Sequence, residues 1–147
     1  GTSADMGNAV FVAAMLELPT MAFFTKMSEK INCGTLIKFS ILMFCVKHAL
    51  TYFATNMIMI YLAQVCQMFA YALFVPASVY YVNEKIAVAD RVKGQSLVTT
   101  SMTLSGVFAN FAGGIMLDAL GVGHVLLAGV ILSIVGAVIV ILTTEKV

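Results

Sequence analysis

Glu17, in AAMLELPTMAFF, and Lys47, in MFCVKHALTYF, are ionisable residues set inside long apolar runs. Glu17 is the only carboxylate well inside such a run, and Pro19 follows it closely. A carboxyl group in apolar surroundings can exchange a proton near neutral pH, which is what proton coupling needs. Lys47 offers a cation to an anionic solute or to a coupling carboxylate. The alternative, which the sequence favours less, is an ion pair with Glu17 that only fixes helix packing. His48 follows directly and so points about 100° further round a helix, away from any narrow site that Lys47 faces. An imidazole hydrogen-bonded to a neighbouring helix accounts for it as well as a functional role does. Gln64, Gln67 and Tyr71 fall at i, i+3 and i+7, with Phe74 and Ser78 continuing the same face. Such a stripe either lines a cavity and binds a polar solute or holds packed helices together.

These residues need elements that can carry them through apolar surroundings. The chain has 147 residues, 61% hydrophobic and 10% charged, with net charge +1. Soluble domains carry about a quarter charged residues, and a globule this small could not hide so much apolar surface. The composition therefore gives an all-α integral membrane protein. Five spans follow, at about 6–24, 35–54, 57–82, 97–117 and 124–142, each near the roughly 20 residues that a crossing helix needs. Pro76 would kink or tilt the long third span. The runs are too long, and alternate too little, for strands. In the fourth span, Thr99, Thr103, Gly106, Asn110 and Gly113 share a face, and Gly106, Asn110 and Gly114 repeat at four-residue spacing. Close helix packing is expected there first and solute contact at Asn110 second. The fifth span has no strong polar group and should face lipid over most of its surface.

The linkers set the orientation. Lys26, Lys30, Lys38, Lys85, Arg91, Lys93 and Lys146 fall on one side, which accounts for every basic residue except Lys47. By the positive-inside rule that side is cytoplasmic, in a cell inner membrane. The N-terminus of this chain would lie outside and the C-terminus inside. Tyr52 and Tyr61 fall near the outer interface, Tyr80 and Tyr81 near the inner one. An odd number of spans with an external start is expected of a fragment that has lost at least one preceding helix.

The ELP of the first span, the linker KMSEKINCG, the basic residue in FCVKHAL, and PASVYYVNEKIAVADRVKGQSLVTTSMTLSGVFANFAGGIMLDALGV together resemble the C-terminal half of a major facilitator superfamily transporter. Within that superfamily the nearest likeness is to the proton-coupled oligosaccharide and phenylpropionate permeases and their lactose-type relatives. The resemblance covers nearly the whole chain and implies helices eight to twelve, a six-helix bundle lacking one helix. It implies that Lys47 stands where lactose-type permeases carry an arginine in helix nine, and Gln67 where they carry a histidine in helix ten. Ala70 stands where they carry the proton-handling glutamate. That departure leaves Glu17 to take any protonation role. Glu29 and Lys30 stand near an acidic–basic pair of the inner loop, and with Arg91 in the next basic linker they are candidates for gating.

Function classes narrow accordingly. There is no HExxH, GxSxG or phosphate-binding glycine loop, so an enzyme is not expected. Cys33, Cys45 and Cys66 have no CxxC spacing and read as small packing residues, and the ten methionines read as packing side chains. No cofactor, metal or nucleic acid is expected. The expected partners are the lipid bilayer, the missing N-terminal half, a small-molecule solute and a proton. The leading expectation is part of a secondary active transporter, proton-coupled and working by alternating access on a small polar or anionic organic solute. The other expectation is a small non-transporting accessory or scaffold protein.

Overall fold

The computed structural model describes residues 3–145; Lys146, counted above with the basic side, lies outside them. Five helices follow in order: α1 (Ser3–Ser28), α2 (Cys33–Tyr52), α3 (Met57–Lys85), α4 (Arg91–Leu120) and α5 (Val122–Thr143), with a short 3₁₀ turn at Val88–Asp90. All five are long and apolar enough to cross a bilayer, and the described residues contain no strand. The expected all-α membrane architecture is thus the observed one.

Local chemistry sets the helix ends. Asn32 opens α2 from extended backbone (φ −63°, ψ 148°), and its side-chain oxygen accepts from the Thr35 N–H at 3.0 Å. Asn56 caps α3 in the same way, accepting from Met59 N–H at 3.0 Å. Each side chain satisfies an amide that the first helical turn leaves unpaired. The cap at Asn56 needs a turn before it, so α2 stops at Tyr52 and not at the expected 54. Helices α4 and α5 reverse direction through Gly121 alone, whose φ of +82° would strain any residue with a Cβ. Helix α4 starts at Arg91, not near 97, because the polar turn RVKGQS is helical. Reading apolar runs marks the oily part of a helix and misses interfacial turns built from good helix formers such as Arg, Lys and Gln. At 29 and 30 residues, α3 and α4 measure about 43 and 45 Å, longer than the roughly 30 Å hydrocarbon layer.

Helix α3 is the axis of the packing. Ala63, Ala70 and Ala77 recur every seventh residue and are completely buried. On α1, Ala9, Ala13 and Thr20 form a comparable small-residue stripe. Small side chains let helix backbones approach, which is how helices associate where the surroundings are already apolar. Both α1 and α2 pack on α3, and α5 packs on α2. At the basic end Phe24, Leu36, Ile37, Leu73 and Ala77 form one buried cluster, with Met27, Phe74, Tyr81 and Val140 against it. Aromatic edges close it: Phe24 meets Tyr80 with ring centroids 5.3 Å apart, and Phe44 meets Phe74 at 6.4 Å.

Helix α4 stands apart. Its one buried residue is Gly94, where a Cβ would lie 2.9 Å from Val82 Cγ1 and 2.5 Å from Ile86 Cδ1. One turn beyond the start of α4, Gln95 Nε2 donates to the Val79 carbonyl of α3 at 2.8 Å. Beyond this clasp the helix is open: Val107, Phe108 and Phe111 are all more than half exposed. The close packing expected at Gly106, Asn110 and Gly114 is not made among the described residues. Nothing lies within 4 Å of a Cβ built at Gly106, Gly113 or Gly114. The physical reason is that α5 turns back onto α2, leaving this face of α4 without a neighbour.

Candidate functional site

The structure brings three of the expected residues together, one each from α1, α2 and α3. Lys47 on α2 donates from Nζ to Oε1 of Gln67 on α3. Glu17 on α1 and Cys66 on α3 lie within electrostatic range of the same ammonium. Lys47, Gln67 and Glu17 are all half-buried. The ion pairs Lys85–Glu145 and Asp90–Lys93 lie at the basic end. Lys47 and Glu17 form no direct pair, and a neutral amide takes the place of the expected carboxylate.

Each helix fixes its side chain differently. On α2 the Lys47 carbonyl also accepts from Thr51 Oγ1 at 2.9 Å, which ties down the last turn. His48 points elsewhere, as its place one residue on requires. Its Nδ1 lies 2.7 Å from the Phe44 carbonyl, its ring stacks on Phe44, and its Cδ2 would sit 3.3 Å from a Cβ at Gly129 on α5. On α1 and α3, Pro19 and Pro76 each remove one intrahelical donor and free the carbonyls of Met15 and Ala72 from their usual partners.

The α3 stripe divides. Gln67 and Phe74 meet α2, through Lys47 and Phe44, while Ser78 is buried and bonds back to the Val75 carbonyl at 2.8 Å. Gln64 is half-buried and Tyr71 is 42% exposed. Asn110 is exposed on the open face of α4, away from the Lys47 centre. Glu29 and Lys30 line a shallow cleft at the basic end, beside Lys26 and Phe23. Arg91 lies in a second cleft with Asn83, Gln95, Ser96, Thr99 and Thr100.

Sequence reasoning missed this second grouping. Its signal was the polar run RVKGQSLVTT, in which Arg91, Gln95 and Thr99 recur every fourth residue, but the first half of the run reads as a linker until it is known to be helical. Among the described residues no three His, Cys, Asp or Glu side chains converge as a metal site would require. Beyond the helix spans, the Lys85 ammonium holds the Glu145 carboxyl below its ordinary range, first by hydrogen bonding and then by charge. The Glu145 backbone N–H also donates to Tyr81 Oη at 3.3 Å, fastening the end of α5 to α3.

Chemically, the Lys47 centre is an ammonium whose direct hydrogen-bond partner is neutral. An ammonium has three donors, and Gln67 takes one without neutralising it. A cation inside a spanning helix costs up to about 2.5–3.5 kcal/mol at the helix centre on insertion scales, so it favours a water-filled cavity or an exchangeable anion. A family model described as Major Facilitator Superfamily matches residues 1–147. No curated protein and no solved structure matches the chain.

Proposed function

The chain belongs to the Major Facilitator Superfamily, and we propose that it forms one wall of the central cavity of a proton-coupled symporter for a small polar or anionic organic solute. Members of this superfamily are multi-pass membrane transporters, and the five apolar helices fit that class. The finer reading is ours. The chain corresponds to helices eight to twelve, helix seven and the N-terminal half supply the rest, and the solute class is that of the oligosaccharide and phenylpropionate permeases. The basic end is cytoplasmic, so the chain starts outside and ends inside an inner membrane.

One observation carries this reading: Lys47 is held by neutral Gln67 with Glu17 nearby but unpaired. A purely structural pair would put the carboxylate on the ammonium and leave nothing to exchange. Here Glu17 can take up and release a proton while Lys47 meets the solute or the Glu17 carboxylate in alternation. Gln64, Gln67 and Tyr71 contribute hydrogen bonds to the solute. Asn110 offers a further solute contact from the open face of α4, His48 is a further candidate as the neighbour of Lys47 in sequence, and Glu29, Lys30 and Arg91 gate the cytoplasmic mouth.

The test is proton flux in liposomes holding the full transporter and a pH-sensitive dye, challenged with a panel of sugars and small organic acids. The reading expects at least one solute to drive proton entry. In Glu17→Gln that solute-driven flux should fall roughly tenfold or more, with solute binding retained. Proton flux that survives Glu17→Gln unchanged would overturn the assignment.

A further inference from the structure

The cleft between the end of α3 and the start of α4 holds Arg91, which the transport reading uses only as a gate, among polar side chains that it does not use. It measures about 490 Å³. It is an open surface cleft, roomier than a single inorganic ion fills. Arg91 lines it, and its Nε is buried with no hydrogen-bond partner. The neighbouring charges are already taken: Asp90 pairs with Lys93 at 2.8 Å, and Glu145 pairs with Lys85. Glu84 is exposed, and no carboxylate lines the cleft. Gln95 is anchored to the Val79 carbonyl, while Ser96, Thr99, Thr100 and Asn83 offer hydroxyl and amide donors around the guanidinium. From Arg91 to Thr99 these donors extend along about 12 Å of helix. Thr103 and Asn110 continue the polar face of α4 beyond the cleft, a surface that suits a polar solute better than acyl chains.

We infer that this cleft is a subsite at the basic end of the transport path for a small hydroxylated organic anion, its oxyanion held by Arg91 and its hydroxyls by Ser96, Thr99 and Thr100. An arginine fork bonds carboxylate and phosphate oxygens with charge-assisted hydrogen bonds, and the adjoining hydroxyls favour a ligand with more than one polar group. The inference rests on the transport reading and sharpens it: the solute is an anion.

Arg91 is the one arginine in the chain, so an arginine-specific dicarbonyl reagent reports on it directly, read by mass spectrometry of its peptide. The experiment uses the full transporter in phosphatidylcholine nanodiscs, with gluconate and glycerol 3-phosphate as probes. Either probe should slow labelling of Arg91 at least roughly threefold at saturation, and inorganic phosphate should do so far less. Ser96→Ala/Thr100→Ala, on an exposed helix face, should raise the half-protecting concentration roughly tenfold with circular dichroism unchanged. No protection by either probe would overturn the proposal. So would equal protection by inorganic phosphate, or protection by phosphatidylglycerol nanodiscs without solute. Labelling requires no proton movement, so protection that persists alongside failed proton coupling would refute the symport reading alone.

Discussion

Helices α3 and α4 are nearly equal in length and lie next to each other in sequence, yet they fare oppositely. Helix α3 buries seven residues and takes neighbours on two sides; α4 buries Gly94 alone. Both carry stripes of small and polar residues. On α3 the small residues became a seam and Gln67 found Lys47. On α4 the glycines meet nothing, and Thr103 and Ser105 bond back to their own helix at 3.0 and 2.7 Å. A small-residue stripe thus permits close packing but does not produce it. What decides is whether the topology returns another helix to that face. The outcome is a packed unit of α1, α2, α3 and α5 holding the charged centre, beside one helix whose polar face stays open.

The contrast can be broken by substitution. The largest effect is expected at Leu73, fully buried in the core cluster. Leu73→Ala should cost about 2–4 kcal/mol in detergent unfolding, whereas Leu104→Ala, 53% exposed on α4, should change stability by less than about 0.5 kcal/mol. Similar losses at both sites would erase the distinction. Next comes the clasp. Gly94→Val puts a side chain where Val82 already stands and should cost about 1–3 kcal/mol. Gly106→Leu should cost under about 0.5 kcal/mol, because its surroundings are open.

A sharper test lies in the sign at the charged centre. Gln67→Leu leaves the Lys47 ammonium without its hydrogen bond and should destabilise by about 1–3 kcal/mol. Lys47→Met removes the ion itself and should be neutral or stabilising, though it should abolish transport. If both variants destabilised equally, the lysine would be structural. The smallest effect belongs to the Lys85–Glu145 contact, which is solvent-exposed. Glu145 titrates lower in the folded chain than in the unfolded one, so its contribution is present above the unfolded carboxylate range. It is lost as pH falls through the folded value. Glu145→Gln should flatten that acid limb slightly in thermal melts and leave neutral-pH stability nearly unchanged.

The sequence made the helices legible because apolar length is itself the signal for a bilayer-crossing segment. It also made Lys47 and Glu17 conspicuous, since charge in such runs is rare. The partner of Lys47 was less accessible. Depth along separate helices suggested Glu17, but which helix face meets which depends on rotation, and rotation brought Gln67 to the lysine instead. His48 was easier, because one residue fixes a 100° step and the ring indeed turns toward α5. The Arg91 cleft was hidden because its floor is the approach of two helix ends made possible by Gly94. The α4 face found no partner among the described residues for the reverse reason: spacing shows what a face allows and not what lies opposite it.

The account turns on whether the Thr103–Asn110 face of α4 borders water in the working transporter. With Cys33, Cys45 and Cys66 replaced, single cysteines at positions 103, 104, 108 and 110 would be exposed to a charged, membrane-impermeant thiol reagent. Positions 103 and 110 share one helix face; 104 and 108 point well away from it. The account predicts rapid labelling at 103 and 110, slowed by a transported solute, and little at 104 and 108. No labelling at any of the four, or equal labelling at all of them, would contradict it.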